Sequence, residues 1–130
     1  MKKTMHVLLW VAQFLLGITL IWAASLKLFQ PIEQLKTMWP WTGEIAPALV
    51  RSTGVIDLLG ALGVLLPSLF RFKPLLASIA AFGIVLLMIS ASVFHVFRGE
   101  TPQIGFNIIF GLIAGFVAYG RWKLAPIPSK

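Results

Sequence analysis

Long apolar runs alternate with short polar interruptions along this chain. Four runs, at 6–28, 47–66, 74–97 and 104–122, reach about 20 residues, the length a helix needs to cross the hydrocarbon core of a bilayer. In lipid every backbone N–H and C=O must be satisfied within its own segment, so each run predicts a helix. The connections PSLFRFKP (67–74) and FRGETPQ (97–103) are short. Short connections force antiparallel neighbours. The pattern therefore predicts an all-α polytopic membrane protein: an up-down bundle of four transmembrane helices, one domain over 1–130. The first run follows Lys2 and Lys3 and ends near the small residues Ala23–Ser25, as a secretory signal would. From Val7 to Leu26 it is 20 residues long, enough to span, and it reads as an uncleaved first helix.

The polar positions inside these runs are few and unevenly placed. Gln13, Ser25, Lys27, Arg51, Asp57, Ser90, Ser92, His95 and Asn107 all lie within or beside spans. Apart from Gln13, nearly all fall toward one side of the bundle. Helical side chains lean toward their own N-terminus. Lys27 closes the first span and leans back into the membrane, while Asp57 in the second span leans out to meet it. His95 and Asn107 form a second opposed pair, on the third and fourth spans. Asp57 lies about 9 Å deeper than Arg51 at 1.5 Å per residue. An unpaired carboxylate there costs about 2.5–3.5 kcal/mol or more. Lys27 is its best-placed partner, and Arg51 is expected to snorkel to the surface. Lys27, Arg51, Asp57, His95 and Asn107 are thus the candidate polar pocket. Two readings of it stay open: an ion pair that locks two helices, or a pocket that receives a guest.

Small residues mark the packing faces. Gln13, Gly17, Ala24 and Lys27 fall within about 80° on the first helix. Gly54, Asp57, Gly60 and Gly63 recur every three residues on the second. Asn107, Gly111, Gly115 and Tyr119 recur every four on the fourth. GLIAG (111–115) is a GxxxG, which permits close backbone approach within the chain or between two copies.

Charge adds an orientation. The chain has a net charge of +7, and only 12% of its residues are charged. The basic residues punctuate apolar runs and form no stripe, so nucleic acid is not an expected partner. Lys2, Lys3, Arg71, Lys73, Arg121, Lys123 and Lys130 fall on one side, with no acid among them. Lys27, Lys36, Arg51 and Arg98 on the other side are balanced by Glu33, Glu44, Asp57 and Glu100. Lys/Arg excess marks the cytoplasmic side. Both termini are then cytoplasmic, in a bacterial inner membrane. The long connection 29–46 lies outside, with Trp39 and Trp41 as interfacial anchors or as a lid.

There is no cysteine, which excludes disulfides and thiol chemistry. His6 and His95 have no metal-ligand spacing, and no metal site is expected.

AASLKL (23–28), IDLLGALGVLLP (56–67), FHVFRGE (94–100), Asn107 and AYGRW (118–122), in this order, make the chain resemble the DoxX-like family of small four-helix membrane proteins. The resemblance covers essentially the whole length. It implies the fold and a membrane location. The family is named for its likeness to a membrane subunit of quinone-coupled sulfur oxidation, which implies a link to membrane redox metabolism. It carries over no catalytic residues. The acid in the second-span motif is often glutamate in such proteins, and here it is aspartate, one methylene shorter.

Four functions compete on these residues. A binding or accessory subunit would hold a quinone, lipid or other apolar molecule in a cleft mouthed by the polar cluster; no other cofactor is evident. A small proton-coupled transporter would use Asp57, although the clear Lys/Arg bias opposes a dual-orientation design. An enzyme would need an Asp57–His95 pair whose geometry the spacing does not fix. A structural partner, in a homodimer or with another membrane subunit, would use the glycine faces.

Overall fold

The computed structural model describes residues 2–99 and 101–128. Glu100 and Lys130 lie outside the described residues, as does the side chain of Lys2. Four long helices form the body: α1 (Lys2–Phe29), α3 (Pro47–Phe70), α4 (Leu75–Phe97) and α5 (Thr101–Tyr119). A short α2 (Ile32–Met38) and a 3-10 turn (Pro40–Gly43) sit between α1 and α3. A widened π turn (Gly120–Leu124) continues α5. The four spans are long and apolar enough to cross a membrane. They pack in up-down order, α1 beside α3, α3 beside α4, α4 beside α5, and α5 back against α1. Below, the capped end is the one that carries α2 and the 3-10 turn. The terminal end carries the start of α1 and the close of α5.

Local chemistry sets the boundaries. Pro31 and Pro74 precede α2 and α4, and Pro40 and Pro47 open the 3-10 turn and α3. Proline suits a helix start because the N–H it lacks would be unbonded there anyway. Gly99 follows α4 with φ 74°, and its N–H bonds to the carbonyl of Val96 at 3.1 Å. That left-handed turn costs other residues backbone strain, which glycine avoids.

Three boundaries differ from the sequence expectation. The second span does not stop at 66: α3 runs through Pro67 to Phe70. Proline's fixed φ is helical, and only one ladder bond is lost, which tertiary packing absorbs in membrane helices. The connection therefore shrinks to Arg71–Pro74, with Arg71 and Lys73 at positive φ (53° and 44°). Similarly, α1 starts at Lys2 and the fourth helix at Thr101, because helical bonding continues past the apolar run at each end.

The glycine faces bring the helices together. A Cβ on Gly17 would lie 2.4 Å from Leu65, and one on Gly63 would lie 2.6 Å from the Cβ of Ala80. Gly54 faces Lys27 and Leu28, and Gly60 faces Ile84 and Leu20. Gly111 and Gly115 turn toward Met88 and Val85, so the GLIAG face packs α5 on α4 within the chain. Leu9, Leu16, Leu20, Val64, Leu65 and Ile84 form the dry centre. Large side chains such as Val11, Ile18, Leu59 and Ile79 point outward, where only lipid can solvate them.

Gly63→Leu tests the close approach. The added side chain overlaps Ala80, whose methyl has no flexible end to move. The variant should lose roughly 1–3 kcal/mol, the cost of overpacking. Thermal unfolding in detergent, followed by circular dichroism, reads this directly; an unchanged melting temperature would contradict it.

Candidate functional site

Lys27, Asp57, His95 and Asn107 line one cavity of about 570 Å³ at the capped end. All four come from different long helices: α1, α3, α4 and α5. Trp22, Trp39, Trp41, Phe94, Phe106 and Phe110 supply aromatic walls. A volume of this size, apolar with a few convergent polar groups, is typical of a small-molecule site.

The charge pair is the anchor of the cavity. The Nζ of Lys27 donates to Oδ2 of Asp57 at 2.8 Å, across α1 and α3. Asp57 is buried, with a relative exposure of 4%. The approach depends on Gly54, one helical turn from Asp57, whose missing side chain leaves room for the stem of Lys27: a Cβ there would lie 2.9 Å from the Lys27 Cβ. The ammonium also lies 5.5 Å from the ring centres of both Trp39 and Trp41. Their electron-rich faces favour a cation there.

Arg51 behaves differently from the expectation that it snorkels away from the bundle. Its Nη1 donates to the carbonyl oxygens of Lys27 (2.6 Å) and Gln30 (2.8 Å). It thus satisfies carbonyls that the end of α1 leaves without helical partners. Arg51 is not among the cavity-lining residues; it fixes the backbone that carries Lys27.

The connection over the capped end is held on several sides. Glu44 forms an ion pair with Arg98, at the close of α4. Trp41 meets Phe94 edge-on at 5.9 Å, and Trp39 meets Trp22 at 5.9 Å. The two tryptophans thus line the cavity from the connection above it.

Asn107 carries an unmet demand. It is 8% exposed, and its Nδ2 has no hydrogen-bond partner among the described residues. A buried amide donor left unsatisfied costs about 1–3 kcal/mol. A guest or water in the cavity carrying an acceptor oxygen would relieve it once the amide turns this nitrogen, which is itself out of reach of solvent, toward that space.

A second polar cluster lies at the terminal end, and the charge pattern does not announce it. Arg121 is only 3% exposed. Its Nε donates to Oε1 of Gln13 at 2.6 Å, and its Nη1 donates to the carbonyl of Ala125 at 2.9 Å. Nη1 also lies 2.8 Å from Nδ1 of His6, which must accept because a guanidinium only donates. The guanidinium sits 5.2 Å from the ring centre of Trp10. The amide of Gln13 in turn donates to the carbonyl of Val64 (2.7 Å) and to Ser68 (3.0 Å). One glutamine thus ties α1 to both α3 and α5. The signal in the sequence was Gln13 itself: an isolated amide deep in an apolar run needs a partner, and Arg121 is the one it finds.

Between the two clusters the bundle is filled. Leu16 and Leu20 on α1, Ala61, Val64 and Leu65 on α3, and Ala81 and Ile84 on α4 are all buried in one apolar core. Among the described residues no group of three or more His, Cys, Asp or Glu side chains is arranged to hold a metal ion.

The ion pair gives a test by order of stability. Lys27→Met strands a buried carboxylate and should cost about 3 kcal/mol, the usual scale for breaking a buried pair. Asp57→Asn keeps an acceptor for the lysine and should cost less. The double variant Lys27→Met/Asp57→Leu removes both charges and should recover most of the loss. Melting temperatures of the three proteins decide it; a double variant no better than Lys27→Met would show that the charges do not act as a pair.

Comparison with curated proteins and with solved structures gives no match. A protein-family model does match, that of the DoxX-like family, over residues 11–125. The match begins within α1, takes in Lys27, Asp57, His95 and Asn107, and ends at Ala125, whose carbonyl accepts from Arg121. With nearly the whole chain matched and four apolar helices in up-down order, this is a multi-pass integral membrane protein of the DoxX-like family.

Proposed function

We propose that this protein is a binding or accessory subunit of the membrane that holds a ring-bearing apolar molecule, a quinone or a similar lipid, in the cavity at the capped end. The observation that carries the reading is the buried, unpartnered amide of Asn107 on the wall of an aromatic-lined cavity. A quinone ring offers a flat face for the aromatic walls and a carbonyl acceptor for that amide. Lys27 and His95 supply further polar contacts on the same walls. The dry core between the two polar clusters favours holding over proton-coupled transport, because it offers no chain of polar groups from one end to the other.

The orientation belongs to the same proposal. The terminal end carries Lys3, Arg71, Lys73, Arg121 and Lys123, which favours the cytoplasmic side of a bacterial inner membrane. The cavity then lies near the outer leaflet.

Two experiments test these statements. A quinone titrated into nanodisc-embedded protein should quench the fluorescence of Trp39 and Trp41 saturably, and Asn107→Leu should weaken binding about tenfold, the scale of one buried hydrogen bond. A quinone that quenches without saturation, or equally in both proteins, would contradict the reading. For orientation, the absence of native cysteine allows clean labelling. Thr37→Cys in intact cells should react with a membrane-impermeant maleimide, and Lys123→Cys should react only after permeabilisation. The reverse pattern would invert the proposed topology.

A further inference from the structure

The cavity has walls from all four long helices, but they do not close equally. α1 and α5 are joined at the terminal end by Gln13–Arg121 and His6–Arg121 and by the seating of Leu9 on Gly120, where a Cβ would come within 2.4 Å. Toward the capped end the same faces open. Ala12 on α1 is buried, whereas Thr19, seven residues on and on the same face, is only half-buried and lines the cavity. On α5, Ile113 packs on the apolar core, whereas Phe106, seven residues earlier, lines the cavity and is 57% exposed. Trp22, beside this opening on α1, is 51% exposed. The roof of Trp39 and Trp41 covers the cavity from the direction of water.

Resting on the proposed guest-binding role, we infer that the cavity opens sideways to lipid between α1 and α5. Its guest is then a membrane-resident amphiphile: the ring sits against Asn107, and a long apolar tail passes out between Trp22 and Phe106. Nearly all the surface along this path is apolar or aromatic, so a tail crosses it without desolvating charge. A hydrophilic solute would instead have to pass the tryptophan roof and the paired Lys27.

A competing exit exists. A second, apolar groove runs along the outside of α4 and α5, lined by residues such as Ile89, Val93, Ile108 and Leu112, and it shares Met88 and Asn107 with the cavity. This wall is closed where Met88 seats on Gly111, since a Cβ on that glycine would lie 3.3 Å from the Met88 Cβ. The polar side chain of Ser92 is turned back onto the carbonyl of Met88 at 2.8 Å, within α4. The groove backs onto the cavity without leading into it.

The test compares a long-tailed prenyl quinone with its tailless ring analogue, both titrated into nanodisc-embedded protein. Thr19→Trp narrows the opening and should weaken binding of the long-tailed quinone at least about tenfold more than binding of the tailless one. Trp22→Ala widens it from the lipid side and should speed uptake of the long-tailed quinone from vesicles several-fold. Leu112→Trp fills the α4/α5 groove and should change neither affinity. If Thr19→Trp and Trp22→Ala act equally on both quinones, or if Leu112→Trp produces the selective loss, the sideways path is wrong while the binding reading stands. If the native protein binds neither quinone, the binding reading itself fails and the inference falls with it.

Discussion

A charge inside a membrane must be given a partner, and two such charges organise this bundle. Asp57 is matched by Lys27 across α1 and α3. Arg121 is held by an amide, an imidazole and a backbone carbonyl that converge from α1 and the residues just after α5. Each cluster joins helices distant in sequence, one at each end of the bundle. The apolar core between them packs tightly because glycines on α1 and α3 let backbones approach. Remove Lys27 or Asp57 alone and the other is left a buried unpaired charge, which costs more than the pair contributes.

The two clusters differ in consequence. At the terminal end α1 meets the close of α5 directly: Leu9 sits on Gly120, Arg121 is buried in the turn of Gly120–Leu124, and Gln13 bonds to both α3 and Arg121. At the capped end the pair Lys27–Asp57 holds α1 to α3, and Arg51 secures the end of α1. Among the described residues nothing comparable draws α5 toward α1 there, and a cavity lies between the four helices. The same charge pair that joins two helices therefore also lines the cavity. The lock and pocket readings of Asp57 are compatible: the carboxylate pairs with Lys27, and both residues line the cavity together with Asn107.

Much of this was legible in the sequence. Spanning lengths, the glycine faces and the convergence of Lys27, Asp57, His95 and Asn107 follow from helical rise, helical period and side-chain lean, which are local and regular. What was not legible is tertiary. Pro67 reads as a helix stop, yet packing carries α3 beyond it. Arg51 reads as a residue bound for water, yet the open carbonyls of α1 lie nearer. Arg121 counts in the sequence only as one of the basic residues on its side; its place on the buried stripe of Phe110, Ala114 and Val117 shows once the partners Gln13 and His6 are seen. Gln13 stood out as an orphan amide, but its partner is 108 residues away.

The proposed guest is one drawn from the membrane itself. Native mass spectrometry of protein extracted directly from its own membrane in lipid nanodiscs tests it most directly. A retained adduct of one ring-bearing lipid per chain is expected, lost when Ala91→Trp fills the cavity from α4. A bare chain mass in the native protein, or the same adduct in the filled variant, would contradict it.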